Sequence, residues 1–349
     1  MYPAPFDYER ASTVEEAVSA LAAADGRDVR PIAGGHGLLP AMKTGEYAPD
    51  VLVDIGACEE LRGVTTTDSI GTANDDGPGN DDGPGNDGGL RIGALTTHAE
   101  IAASSVVAEH VPALATAAES VGDVQVRTRG TVGGNLVEAD PEADLPPVMV
   151  ATGATVRLRG PDGIREITVE ELYDTTDPID IGGNELVTDV VVPNAPTSAY
   201  VRRTHPVRGF AMIGVAVVLE LVDDSGDDDG VSTKLDDARI AVGGVTPRPV
   251  RLPSVEDALV GVELGGGSEH ERDAPTTIEL AAARAADDLE AVECRGDVHA
   301  SAEFRTSIVA PHVERAIETA IVRHHGGSEP PRGGSVGDTG VDESGGDAS

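Results

Sequence analysis

Two glycine pairs carry the chemistry that the residue types of this chain most directly allow. One lies in Pro31-Ile32-Ala33-Gly34-Gly35-His36-Gly37-Leu38, the other in Arg129-Gly130-Thr131-Val132-Gly133-Gly134-Asn135-Leu136. Glycine tolerates φ > 0 and has no side chain to block a ligand. Successive N–H groups in each turn can therefore point into one concavity and bind a phosphate without any lysine. A lone Gly-Gly says little in a chain with 43 glycines, so the information lies in the full strings. The second string leads into Asp140-Pro141-Glu142-Ala143-Asp144-Leu145-Pro146. By residue type alone, Asp144 could cap the next helix, and His36 could be a turn residue or a phosphate contact. No G-x-G-x-x-G follows the first strand, and no phosphate-binding lysine loop or G-x-S-x-G elbow occurs. The nine histidines show no metal spacing, and no catalytic dyad stands out, so neither a metal site nor a catalytic residue is assigned.

Charge sets the conditions under which these turns work. Lys and Arg total 25 against 62 Asp and Glu, a net charge of −37, and Lys43 and Lys234 are the only lysines. A nucleic-acid partner calls for a basic footprint that is missing here, and an anionic membrane surface would repel the chain. Acidic excess with 39% hydrophobic residues reads as a halophilic globular protein rather than an acidic disordered one. Its self-repulsion is tolerable where salt screens it. Cys58 and Cys294 form no C-x-x-C pair, and an iron–sulfur cluster ordinarily takes four thiolates, so the chain cannot hold one alone. The first residues lack a basic region followed by an apolar one, and the longest apolar run, near 211–222, contains Glu220 and is too short for a bilayer. The expectation is a soluble cytoplasmic protein.

The elements that must position the strings are legible in part. Thr13-Val14-Glu15-Glu16 opens a helix, with Val14, Ala17, Val18, Leu21 and Ala22 at helical spacing and Gly26 closing it. A strand at 29–33, a helix at 38–42 and a buried strand at 51–55 complete a β-α-β-turn-α-β order. Residues 73–89 repeat Asn-Asp-Asp-Gly-Pro-Gly and read as a disordered acidic insertion between strands at 64–71 and 90–94. Calcium binding is the other reading, but the terminal bidentate Glu of a calcium loop is missing. Thr97 and Glu100 form a capping box for a helix to about 104. A helix at 112–121 follows, and the chain then runs extended to Arg129. Beyond the second glycine turn come a short helix or apolar turn at 148–152, a hairpin of 154–159 with 164–168, and a strand at 186–193. Strands at 200–203, 210–221 and 238–245 follow the Pro193–Pro196 boundary, with an acidic turn at 223–230. Helices at 254–259, 277–289 and 302–323 precede a disordered tail.

The two glycine strings occur together with Ala199-Tyr200-Val201-Arg202-Arg203-Thr204-His205-Pro206, the strand from Phe210, Ala238-Arg239-Ile240-Ala241-Val242-Gly243-Gly244-Val245 and Asp297-Val298-His299-Ala300-Ser301-Ala302-Glu303-Phe304-Arg305. In these motifs the chain resembles, over about residues 1–325, the flavin-binding medium subunits of the molybdenum hydroxylases, which serve carbon monoxide and xanthine dehydrogenases. The resemblance implies an α+β fold. A two-subdomain FAD-binding fold of the vanillyl-alcohol-oxidase (PCMH) type would span 1–195, with subdomains of about 1–56 and 57–195. A C-terminal α+β domain with a small antiparallel sheet and helices would span 198–325, before a tail at 326–349. It also implies that Ala33, Gly34, Gly35, His36, Gly37 and Leu38, with Thr131, Val132, Gly133, Gly134 and Asn135, hold the FAD pyrophosphate. Asp140 and Asp144 would face ribityl or ribose hydroxyls; Leu186 would be a further contact, and Arg202 and Phe210 would lie near the isoalloxazine ring. The family usually has Ser at position 37, Lys at 202 and Tyr at 210, and a basic stretch where Thr44-Gly45-Glu46-Tyr47 stands here. The implied function is electron transfer from a [2Fe-2S] small subunit to an external acceptor, with the molybdenum cofactor on a large subunit of the same hetero-oligomer. A stand-alone FAD-dependent oxidoreductase is the alternative, and a non-catalytic anion-binding module is a third reading.

Overall fold

The computed structural model describes residues 2–67, 88–173, 181–205, 209–225, 231–264 and 276–326. The chain begins with a three-stranded parallel sheet of β1 (Asp7–Arg10), β2 (Val29–Ile32) and β3 (Val51–Asp54), in the order β1-β3-β2. Helix α1 (Val14–Ala22) starts where expected, with the Thr13 hydroxyl accepting from the Glu16 N–H. Its Val14, Ala17, Val18 and Leu21 bury against Val53, Ile55 and Leu61. The loop of the first glycine string joins β2 to α2 (Leu38–Thr44).

A five-stranded antiparallel sheet follows, built from β4 (Val64–Thr67), β5 (Gly89–Gly93), β6 (Thr155–Gly160), β7 (Gly163–Thr168) and β8 (Leu186–Pro193), in the order β4-β5-β8-β6-β7. The acidic insertion lies outside the described residues except for Gly88 and Gly89, and Gly89 already belongs to β5. Between β5 and β6 run α3 (His98–Ala103), α4 (Ser105–His110), α5 (Pro112–Ser120), α6 (Val124–Arg127), α7 (Val132–Glu138) and α8 (Leu145–Thr152); α9 (Val169–Tyr173) follows β7. The capping box of Thr97 and Glu100 is present. Two expectations fail in this stretch. Residues 124–127 are helical rather than extended, because Asp123 accepts from the Val126 N–H and nucleates a turn. Gly133 and Gly134 lie within α7 rather than in a turn, with the Thr131 hydroxyl at its N-cap.

The third sheet is antiparallel, ordered β12-β11-β10-β9, with β13 pairing β11. Its strands are β9 (Ser198–Thr204), β10 (Ala211–Ser225), β11 (Val231–Gly243), β12 (Val250–Arg251) and β13 (Glu263–Leu264). Helix α10 (Pro253–Leu259) precedes β13, and α11 (Thr277–Ala283), α12 (Ala285–Glu290), α13 (Ala302–Ser307) and α14 (Val309–His324) close the chain. The expected single helices at 277–289 and 302–323 are each broken, at Arg284 and Ile308. The acidic turn expected at 223–230 begins later, because β10 stays paired with β11 through Ser225; residues 226–230 and the tail from 327 lie outside the described residues.

The cores are built from small and branched aliphatic side chains, as a chain with three Phe and no Trp requires. Helix α8 is buried along its whole length between the second and third sheets. Gly243 of β11 lets this happen: a Cβ there would already press on Pro147 at 3.3 Å. The third sheet also secures the C-terminal end of α8, where Arg239 donates to the Ala151 carbonyl at 2.9 Å, a placement that the helix dipole favours.

Candidate functional site

The two glycine strings meet in space, through their backbones. A Cβ on Gly34 would lie 2.2 Å from the Arg129 carbonyl oxygen, so no side chain fits between them. Gly133 is equally confined, with Ala94 Cβ 2.7 Å from where its own Cβ would be. Gly35 adopts φ +74, a left-handed conformation that favours glycine, and turns the loop back toward α2. Among the described residues, the N–H groups of Gly34, Gly35, His36 and Gly37 donate to no protein acceptor.

The second string differs. Val132 donates to Thr96 O, Gly133 to Ala94 O, Gly134 to the Thr131 hydroxyl and Asn135 to Thr131 O. Its amides are spent on α7 and on docking that helix to the second sheet. What it offers is the Asn135 side chain, whose Oδ1 is buried without a hydrogen-bond partner among the described residues. Gly134, before it in α7, is solvent-exposed, and a Cβ there would lie 2.9 Å from the Thr131 hydroxyl. The two strings therefore offer different groups: unpaired amides from residues 34–37 and a side-chain amide from α7.

The acid string begins where α7 ends. Ala139 adopts φ +50 and turns the chain into the 140–144 loop. Asp144 stands at the N-cap position of α8 but makes no capping bond, so the capping reading fails. Its buried carboxylate instead accepts from the Tyr200 phenol at 2.8 Å and from Arg202 Nη1 at 3.1 Å. Burial pushes the Asp144 carboxyl above its usual range, opposed by the Arg202 charge and these two hydrogen bonds. Burial and Asp144 together raise the Tyr200 phenol well above its ordinary value, so it stays protonated as a donor. Gly214 makes room for that ring: a Cβ would lie 2.2 Å from the phenol oxygen.

The remaining expected residues are scattered around this core. Ala33 and Leu38 flank the free amides, and Asp140 is exposed at the start of the acid loop, where its carboxylate accepts from the Glu142 N–H. Arg202 is committed to Asp144, and Phe210 is 46% exposed beside His205, whose N–H donates to the Phe210 carbonyl. Leu186 is buried in the first core cluster with α1. Among the described residues no cluster could hold a metal ion.

Four further residues belong to the site and were not singled out from sequence. Tyr200 shares a strand face with Arg202 by simple alternation, which was a readable signal. The Glu138 carboxylate lies where a Gly37 Cβ would project, and burial, Asp140 and Glu46 raise its carboxyl. His98 packs under Gly130, its pKa pushed down to about 4 by burial and by His36. Arg248 reaches across from the third sheet to donate to the Ala139 carbonyl at 2.9 Å. The last three contacts join residues distant in sequence, so spacing carried no sign of them.

Comparison with known proteins fits this arrangement. Residues 4–72 and 84–195 match the FAD binding domain in molybdopterin dehydrogenase, and residues 201–320 match the CO dehydrogenase flavoprotein C-terminal domain. The chain is 31% identical to the carbon monoxide dehydrogenase medium chain of Afipia carboxidovorans, over 93% of this chain and 99% of that one. It is 30% identical to the nicotine 6-hydroxylase medium subunit of Paenarthrobacter nicotinovorans, covering 90% and 97%. Reconstituted CO dehydrogenase from Oligotropha carboxidovorans contains a chain of the same fold, with a TM-score of 0.75, 29% identity and coverage of 93% and 100%. A pyrophosphate suits the unpaired amides, and a polar cofactor suits the orphaned Asn135 oxygen. The chain belongs to the FAD-binding medium-subunit family of the molybdopterin dehydrogenases.

Proposed function

We propose that this chain is the flavin subunit of a molybdenum-containing dehydrogenase complex, and that the four unpaired N–H groups of residues 34–37 hold the FAD pyrophosphate. The unpaired amides of the first string, with the partnerless Asn135 oxygen of the second, are the observation that carries the reading. In a chain of net charge −37, neutral dipoles bind an anion without the desolvation that a buried lysine would need. Thr131, Val132, Gly133 and Gly134 act mainly by close approach, docking α7 so that Asn135 faces the same concavity. Asp140 and Asp144 accept from ribityl or ribose hydroxyls, with Tyr200 and Arg202 holding Asp144 in place. Leu186 closes the wall behind the first sheet, and Phe210 borders the ring.

Bound FAD would collect electrons delivered by a [2Fe-2S] small subunit and release them to an external acceptor, while a large subunit bearing the molybdenum cofactor oxidises the substrate. The protein's own work is to bind, orient and shield the cofactor. We read residues 1–195 as the FAD-binding unit, with subdomains of about 1–56 and 57–195, and 198–325 as the C-terminal domain. The acidic surface suits a halophilic cytoplasm, and the free thiols of Cys58 and Cys294 suit its reducing conditions. Purification from molar salt without separating partners tests the assignment. The expected product carries flavin absorbance, molybdenum and iron in three co-purifying chains; a colourless chain without partners would sink it.

A further inference from the structure

The loop carrying Asp140 and Asp144 is held at several points by the third sheet and its helices. Arg248 bonds Ala139 O, and Tyr200 and Arg202 bond Asp144, at its two ends. Its middle residue, Glu142, lies 3.7 Å from Arg295 and 3.4 Å from Arg305 Nη2. Arg305, on α13, has a side chain with no solvent exposure at all. Its Nη1 donates to the carbonyls of Met212 and Gly244, and its Nη2 to Asp297 at 2.8 Å.

This socket is built for a guanidinium. Gly244 adopts φ +87, and a Cβ there would lie 2.3 Å from Met212 O, so glycine lets both carbonyls converge on one nitrogen. Desolvation would raise the Asp297 carboxyl, yet the N–H groups of His299 and Ala300 and the Arg305 guanidinium hold it well below the usual carboxylate range. Asp297 and the two carbonyls would suffice to fasten α13 to the sheet. The reach to Glu142 is an addition, and it crosses to the other side of the site. It also has an electrostatic reason. Asp140, Glu142 and Asp144 place three carboxylates within five residues. Pairing the middle one with Arg305 and Arg295 relieves their repulsion.

We propose that Arg305 is a positioning residue for FAD: through Glu142 it holds the 139–144 loop in the shape that presents Asp140 and Asp144 to the dinucleotide. The inference rests on reading those aspartates as cofactor contacts. Its test is FAD release from the full-length chain in molar KCl, followed by the rise of flavin fluorescence, together with the melting midpoint of the flavin-free protein. Glu142→Gln is expected to release FAD about tenfold faster, as loss of a charge-assisted bond implies. Its midpoint should move by no more than about 2 °C. Arg305→Lys should also release FAD faster, with a lowered midpoint because the bonds to the two carbonyls are lost too, and the double variant should release FAD no faster than the worse single one. Asp297→Asn cuts the same guanidinium on the side away from the loop; it should lower the midpoint while leaving release within about twofold of wild type. Wild-type release from Glu142→Gln overturns the proposal, whether or not Arg305→Lys folds. Release that tracks the midpoint across all variants also overturns it. Unchanged release from Asp144→Asn would instead overturn the reading beneath it.

Discussion

At the scale of single residues, two glycines three positions apart have opposite tolerance to a side chain. A methyl on Gly34 meets a backbone carbonyl at 2.2 Å, which nothing nearby can relieve. Gly34→Ala is therefore expected to cost about 1–3 kcal/mol, as overpacking does, and to abolish FAD retention; denaturant melts and flavin absorbance check both. A side chain on Gly37 meets only the mobile end of Glu138, so Gly37→Ser should keep its flavin. Asp144→Ala leaves Arg202 and the buried Tyr200 phenol without their acceptor. We expect it to destabilise the protein by about 2–4 kcal/mol and to weaken FAD binding, measured by urea melts and fluorescence titration. The first glycine string was legible because its role is local: a positive φ and free amides follow from residue types. The second was misread as a matching turn because the need for glycine there comes from Ala94, 39 residues earlier, pressing on Gly133.

At the scale of elements, helices α7 and α8 bring the site together. Helix α7 spends its first amides on docking to the second sheet, while α8 carries Asp144 at one end and is secured by Arg239 at the other. Helix α3 begins with His98, whose ring lies under Gly130 and whose N–H donates to the Gly130 carbonyl at 3.1 Å. Its imidazole is neutral in the folded protein until about pH 4 but gains a proton near pH 6.5 when unfolded. The unfolded state therefore binds more protons between these values. The resulting stability is complete above pH 6.5 and is lost as pH falls toward 4, on the order of 3 kcal/mol. Melting midpoints of wild type and His98→Gln should accordingly converge as the pH is lowered from 7 to 4.5. Caps and hydrophobic periodicity made α1, α3 and most strands legible. Helix α6 was missed because its four residues bury no apolar side chain, so only the Asp123 cap marks it. The breaks at Arg284 and Ile308 were missed because neither residue is a helix breaker by type.

At the scale of the whole molecule, three sheets are assembled in a chain of net charge −37. Screening of that charge predicts a melting midpoint that rises steeply between about 0.1 and 3 M KCl, as the Debye length shrinks from about 10 Å to under 3 Å. A flat dependence would remove the halophilic reading. The central claim, that neutral amides at 34–37 hold the pyrophosphate of FAD, is tested most directly by titrating the flavin-free chain in molar KCl with FAD and with riboflavin. Quenching of flavin fluorescence should show one FAD per chain, bound at least about a hundredfold more tightly than riboflavin, a difference of about 2.7 kcal/mol. Equal affinity for the two flavins would contradict the claim.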